Sequence, residues 1–325
     1  MNRQTTITIA SIFIILFGLQ WASSFFGPLL LAFILTLLIW PILEFLEQKG
    51  MSRKFAIATV LIFLICLVTL LVVIISTSLQ QFSANLPQYS HQFSSQLQPI
   101  LDFAAGYGIK ISYNPDSTTV AQTAISFATG FVGSLLSVFM FLLLLIFMVV
   151  SSDSLVKNYK FTDNFTTWTK AIQTQYRVQT ISNLISAAVA TLLFFFFGID
   201  FAILWGVLIF LLAYIPNFGI MIASFTPVLL AFILRGWFIA LILIILIAVL
   251  NITMDNVVNP RLMGSRLGLP PIAILISFIF FGFIFGILGA FLAIPLLLAL
   301  RQILAENAQT NFLAHLLGAH KKQDL

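Results

Sequence analysis

Two uncharged stretches of equal length, Phe201–Leu234 and Leu267–Leu300, limit most tightly what this chain can fold into. Each is 34 residues long, so as one helix it would measure about 50 Å against a hydrocarbon core of about 30 Å. Folded as two straight helices with a turn, each half would reach only about 22–24 Å, too short to cross comfortably. Both stretches carry breakers: Pro216 and Gly219 in the first, Gly282, Gly286, Gly289 and Pro295 in the second. Backbone that breaks at membrane depth needs protein neighbours or a water-filled cavity to satisfy its polar groups. Such breaks in two separated places point to a solute pathway.

The remainder of the chain agrees with a membrane setting. It is 61% hydrophobic and 8% charged, where a soluble domain carries about 25% charged residues. The expected class is an all-α polytopic integral membrane protein with about eight hydrophobic segments, two of them broken or re-entrant hairpins. A net charge of +5 calls for a positional test in such a chain rather than a nucleic-acid reading. The lone Cys66 lies in an apolar run, allows no intramolecular disulfide, and reads as a small core residue. His91, His315 and His320 share no ligand spacing with it or with each other, so no metal site is assigned. Nothing calls for a cofactor. No phosphate loop, nucleotide motif or nucleophile–base pair is present, which argues against an enzyme and against a built-in motor.

Read in order, the chain forms a single transporter domain over 1–325. Residues 7–79 hold three spans, the first two (about 7–22 and 27–44) separated by a tight turn at Ser23–Pro28, the third at Phe55–Leu79. Residues 80–126 form an external polar segment. In it Phe82, Leu86, Tyr89, Phe93, Leu97 and Leu101 recur at three- and four-residue spacing, which predicts an amphipathic helix. Pro87 and Pro99 are expected to break it. The stripe suits a cap on its own subunit or an oligomer contact. Residues 127–150 are a fourth span. Residues 151–179 are cytoplasmic and basic, with Phe161, Phe165, Trp168, Ile172 and Tyr176 at helical spacing, a pattern suited to the lipid–water interface. Residues 180–305 hold the C-terminal spans, Trp237–Met254 among them, and both hairpins; 306–325 is a cytoplasmic tail.

Charge sets the orientation. With the N-terminus inside and each 34-residue block returning to its own side, 13 of the 15 basic residues are cytoplasmic, and only Lys110 and Arg235 fall outside. Both termini are then cytoplasmic, and the two hairpins enter from opposite faces. The first is expected to turn near Tyr214–Gly219 and the second near Gly282–Gly289.

Few ionisable groups remain near membrane depth, where each is a functional candidate. Asp255 ends a span, with Asn251 one turn before it and Asn256 and Asn259 after it. This polar cluster, with Asn217 in the first hairpin, is the candidate site for a polar solute or for a monovalent cation or proton. The competing reading pairs Asp255 with Arg261 or Arg266 to fix a loop. Asp200, beside Gly198, reads as a solvated turn or N-cap. Pro216, Gly219, Gly286, Gly289 and Pro295 are candidate break and gating positions, unless the glycines only let helices pack closely.

Asp255-Asn256, Pro260, Gly264 and the run Leu267-Gly268-Leu269-Pro270 resemble the C-terminal signature of the autoinducer-2 exporter family, the PerM-like permeases. The segment from Gly286 through Gly289 and Ala293 to Pro295 resembles that family's closing Gly-rich segment. Ile215-Pro216-Asn217-Phe218-Gly219 is similar to its central break, and Pro28 to Pro41 to its opening spans. The resemblance implies a homo-oligomeric, multi-pass protein of the bacterial inner membrane and a secondary transporter. Export of a small polar signalling molecule such as autoinducer-2, hence a part in quorum sensing, is the leading expectation. Sodium/proton antiport through Asp255 is the second, and a passive oligomeric channel or scaffold the third. Nucleic acid is not an expected partner; the lipid bilayer is.

Overall fold

The computed structural model describes residues 11, 14, 17–107, 141–142, 144–151, 163–215, 218–263, 269–306 and 310–317. Every regular element among them is a helix. They are α1 (Ser23–Gln48), α2 (Arg53–Gly106), α3 (Asp163–Phe196), α4 (Ala202–Leu212), α5 (Gly219–Arg235), α6 (Trp237–Thr253), a π-helical turn (Met254–Val258), α7 (Asn259–Met263), α8 (Pro271–Phe291), α9 (Ala293–Glu306) and α10 (Asn311–Leu316). Within α1, α2 and α3, and across α6 to α7, lie stretches long and apolar enough to cross a membrane; α4 and α5 are shorter apolar helices. The class is therefore the one composition dictates. The chain divides into two compact units: Met1–Leu64, Leu136–Val178 and Met263–Leu325 in one, Ile65–Leu135 and Gln179–Leu262 in the other.

In the first unit, α1, the start of α2 and the stretch 144–151 bury Ala32, Ile39, Leu43, Ala56, Val60, Leu145 and Val149 against one another. The tight turn expected at Ser23–Pro28 is absent. Those residues open α1, and among the described residues before them the only irregular one is Ala22 (φ −90°, ψ 10°). The ladder continues through it, from Ala22 N–H to the Gly18 carbonyl and from Phe26 N–H to the Ala22 carbonyl, both 3.0 Å. The chain bends there without reversing. Proline in an apolar helix is tolerated when neighbours satisfy the freed groups, and Pro28 and Pro41 both lie inside α1.

The second 34-residue block turns back where expected. Gly286 (φ 63°, ψ −144°) holds a backbone conformation that side chains other than glycine's rarely reach. A side chain at Gly289 would collide with the Phe281 carbonyl, and one at Gly282 would sit 3.8 Å from Ala290 Cβ. Eight residues of straight helix span about 12 Å, so these contacts exist only because the chain folds back at Gly286. Six residues on, Leu292 (φ −87°, ψ 3°) interrupts the helix and Pro295 enters at the third position of α9.

Prolines 41 and 295 each leave a carbonyl four residues back without its helical donor. The N-terminal half of α3 supplies both replacements. Gln173 Nε2 donates to the Leu37 carbonyl at 2.8 Å, and Tyr176 Oη to the Phe291 carbonyl at 2.9 Å. Trp168 stacks on Phe33 and points Nε1 at the Pro295 carbonyl at 3.4 Å. Ile172 and Tyr176, expected on an interfacial aromatic face, are core residues instead, with Tyr176 turned to proline-opened backbone; Phe161 lies outside the described residues.

In the second unit, α2 runs on as one helix to Gly106. Pro87 and Pro99 do not break it. The stripe they interrupt is buried on this chain: Phe82 meets Phe201 and Trp205 edge-on at 6.0 and 6.1 Å, and Phe93 meets Phe232 at 6.1 Å. Burial of Leu86 and Tyr89 and packing of Phe82 and Phe93 on the same core offset the roughly 3 kcal/mol that each helical proline costs. Cys66, expected in the core, is instead exposed on α2.

The carbonyl repair is testable by restoring the donor. Tyr176→Phe should cost about 1–3 kcal/mol, the penalty of an unsatisfied buried acceptor. Pro295→Ala in that background should recover much of it, because residue 295 regains its N–H. Thermal unfolding of the detergent-purified single and double variants checks this.

Candidate functional site

The first hairpin, α4 and α5, belongs to the second unit and is held at its two ends by different chemistry. At 11 residues, α4 measures about 16 Å and cannot cross a bilayer alone. Gly219 starts α5, and a side chain there would collide with the Leu212 carbonyl, so the return of the chain requires glycine. Pro216 and Asn217 lie outside the described residues.

The hairpin tip rests on the C-terminal half of α3. Gln179 Nε2 donates to the carbonyls of Ala213 (3.3 Å) and Tyr214 (3.1 Å). Thr180 Oγ1 lies 2.7 Å from Tyr214 Oη. The Asn183 amide satisfies both its ends when its oxygen accepts from Tyr214 N–H (3.2 Å) and its nitrogen donates to the Gln179 carbonyl (3.1 Å). The opposite orientation leaves only a 3.4 Å contact to the Phe210 carbonyl, so the first is the arrangement taken. Sequence reasoning missed these residues. Their signal was there: Gln179, Thr180, Ser182, Asn183 and Ser186 are polar within an otherwise apolar span. Neutral hydrogen bonds of this kind contribute about 0.5–1.5 kcal/mol each, and they add to the apolar packing of Leu212, Ala213 and Ile220 in the same core.

The hairpin base is aromatic. Tyr89 Oη donates to Asp200 Oδ2 at 2.7 Å, and Trp205 Nε1 to the Asp200 carbonyl at 2.9 Å. Arg235 Nη2 reaches the Gly198 carbonyl at 3.2 Å. Asp200 is an exposed turn residue, as expected; the residue before α4 is Phe201, with φ 60°. That left-handed conformation is unfavourable for a bulky residue, and the Phe82 ring packed on Phe201 helps hold it. Tyr89 lies ten residues, about 15 Å of helix, beyond the end of the apolar run at Leu79. Burial first, and then its bond to Asp200, push its phenol up to about 12. The hydroxyl therefore remains a donor throughout the neutral range.

The polar cluster takes an unexpected form. Asp255 does not end a helix: α6 continues through the π turn into α7. Within that turn the Asn259 N–H bonds the Met254 carbonyl, five residues back. Pro260 gives the reason, since its ring would clash with a carbonyl four residues back and it has no N–H to offer. Asp255 is exposed, and its Oδ1 accepts a long 3.4 Å bond from Asn259 Nδ2. Asn259 Oδ1 is buried with no donor among the described residues. Asn256 turns its amide back onto the Ile252 carbonyl at 2.9 Å, and Asn251 is half-buried. Arg261 is exposed, and the only ion pair among the described residues joins Arg53 to Glu47. The loop-fixing pair of Asp255 with Arg261 therefore does not form; Arg266 lies outside the described residues.

The α3 polar face also reaches this turn, through Ser182 Oγ, 3.8 Å from Met254 Sδ. One face of α3 thus touches the hairpin tip with Gln179, Thr180 and Asn183, and the residue preceding Asp255 with Ser182. Gly286, Gly289 and Pro295 belong to the other unit.

A helical hairpin braced by neutral side chains, beside a π turn bearing a carboxylate, is an arrangement suited to moving a solute. The sequence pattern described as "AI-2E family transporter" matches residues 9–309. The chain belongs to the AI-2E transporter family. It is 25% identical to the "AI-2 transport protein TqsA" of Escherichia coli (strain K12), over 98% of this chain and 96% of that protein. It is also 25% identical to a "Putative transport protein" of Haemophilus influenzae, over 97% and 96% of the two chains. To the "Putative transport protein YhhT" of E. coli K12 it is 24% identical, over 95% and 93%. The chain is thus a multi-pass membrane transporter of the AI-2E family.

The π turn offers a test of whether this transporter needs its irregular backbone. Pro260→Ala removes the reason for the wider turn and should leave the unfolding temperature unchanged or slightly raised, since the π turn already relieves the proline clash. It should also depress transport, because a change to α register would re-aim Asp255 and Asn259. Unfolding in detergent and solute flux in proteoliposomes check the two halves.

Proposed function

We propose that this AI-2E transporter is a secondary transporter of the bacterial inner membrane that exports a small polar signalling molecule such as autoinducer-2. One observation carries the reading. Gln179, Thr180, Ser182 and Asn183, all uncharged, line the α3 face at the hairpin tip and the π turn. Neutral donors and acceptors beside a broken helix suit a hydroxyl-rich solute, which needs many directional hydrogen bonds and no counter-charge. The name of the E. coli relative, an AI-2 transport protein, supports the same solute class. The proposal includes a homo-oligomer with a cytoplasmic C-terminus; the 13-to-2 distribution of basic residues supports that side. Asn251, Asp255, Asn256, Asn259 and Asn217 remain the proposed solute contacts, and Pro216, Gly219, Gly286, Gly289 and Pro295 the proposed breaks.

Asp255 favours a second reading, sodium/proton antiport. Its carboxylate has one long neutral partner, the Asn259 amide nitrogen at 3.4 Å, and no ion pair with a cationic side chain among the described residues. A carboxylate there can bind a proton and a cation in turn.

Two flux measurements on purified protein in proteoliposomes separate these readings. Labelled autoinducer-2 should show saturable counterflow, retained though weakened in Asp255→Asn. Linear, non-saturable flux would instead favour a passive pore. A sodium pulse that shifts internal pH in the unmodified protein and not in Asp255→Asn would make antiport the activity.

A further inference from the structure

A hydroxyl inside an apolar helix commonly bonds the carbonyl one turn back. Thr36 does so to Ala32 at 2.8 Å, and Thr191 to Ala187 at 2.7 Å. Ser186 on α3 and Ser224 on α5 do not. They are 1% and 3% exposed, and neither hydroxyl has a partner among the described residues. A buried hydroxyl left unpaired costs stability, so two in one unit call for a function. A third polar group stands next to Ser224. Pro227 lies inside α5 and has no N–H, so the buried Ala223 carbonyl, four residues back, lacks its helical donor. The carbonyls opened by Pro41 and Pro295 receive Gln173 and Tyr176. No side chain among the described residues donates to Ala223.

Both serines belong to the second unit, and the packing puts them at one depth. A side chain at Gly206 would collide with Thr191 Oγ1 and lie 3.3 Å from the Ala187 carbonyl, so α4 meets α3 at the residue after Ser186. Gly219 of α5 lies against the Leu212 carbonyl of α4. From that contact Gly206 is about 9 Å back along α4, and Ser224 about 7.5 Å along α5. Ser186 also continues the polar series of Gln179, Ser182 and Asn183 along α3.

We propose that Ser186, Ser224 and the Ala223 carbonyl form one buried polar site that takes a hydroxyl group of the transported solute. Each serine offers a donor and acceptors, and the carbonyl a further acceptor. With no carboxylate among them, they favour a neutral solute over a cation. The proposal rests on the reading of this protein as a carrier of a neutral polar solute, and it says where that solute binds.

One arm of the test needs no solute. In a Cys66→Ala background, Ser186→Cys and Ser224→Cys in proteoliposomes are treated with a small hydrophilic methanethiosulfonate. Each should react about tenfold faster than Ala240→Cys, a buried position of the same core on α6, because thiol reactivity follows access to water. Cadmium should protect the double-cysteine variant at about one-tenth of the concentration that protects either single variant, since two thiolates facing one site hold the soft ion together. Labelling no faster than at Ala240→Cys, in protein that elutes as the parent does, would overturn the proposal. So would equal cadmium protection of the pair and the single variants. The second arm is counterflow of labelled autoinducer-2. Ser186→Ala and Ser224→Ala should each raise its half-saturating concentration about two- to tenfold, as expected for one hydrogen bond. Neither should lower the unfolding temperature of the solute-free protein, because each removes an unsatisfied group. Thr191→Val, whose hydroxyl already has its partner, should leave half-saturation within about twofold of the parent. Unchanged half-saturation in both serine variants, or a loss of stability in both, counts against the site. If the unmodified protein shows no autoinducer-2 counterflow while the thiol and cadmium results hold, the solute assignment fails and the polar site stands.

Discussion

A helix that breaks inside a membrane leaves backbone carbonyls and amides with no water to turn to, and the rest of this structure depends on how those groups are satisfied. The answer in several places is α3. Gln173 and Tyr176 replace donors lost at Pro41 and Pro295, and Gln179 and Asn183 cover the turn between α4 and α5. Gln173, Tyr176, Gln179 and Asn183 follow one another three or four residues apart along this one helix. That explains why α3 is less apolar than its neighbours and still sits in protein. Its polar residues are matched to specific gaps in other helices.

The same constraint accounts for the π turn. Pro260 sits where a regular helix would need its N–H, and widening the preceding turn by one residue removes the clash at little cost in helix continuity. The result places Asp255 and Asn259 on a continuous helix rather than on a loop. A carboxylate on such an element is positioned by the whole of α6, which gives it a defined location even without a cationic partner.

Hydrogen bonding and aromatic burial divide the work in the first hairpin. Aromatic burial is insensitive to direction and strong in sum, so it anchors. Neutral hydrogen bonds are directional and individually weak, so they set the position of the tip, while apolar packing of Leu212, Ala213 and Ile220 adds to its hold.

Much of this was legible in the sequence. The uncharged runs and sparse charge determined the helical membrane class, because only hydrogen-bonded helices or closed barrels can span a bilayer and the patterns here are helical. The two 34-residue blocks determined that two hairpins exist, and Tyr214–Gly219 and Gly286 mark their turns because glycine alone tolerates the close approach and the positive φ found there. The prolines were harder to read. Pro87 and Pro99 were expected to break α2, and Ser23–Pro28 to reverse the chain, since local propensity is all that a sequence displays. Packing decided otherwise: the Phe82–Phe93 stripe buried on α4 and α5 keeps α2 whole. Partnership was likewise a tertiary matter. Nothing in the spacing of Gln173, Tyr176 and Gln179 says which carbonyl each will meet, because the donors and their acceptors lie about 30 to 140 residues apart and come together only when the helices pack.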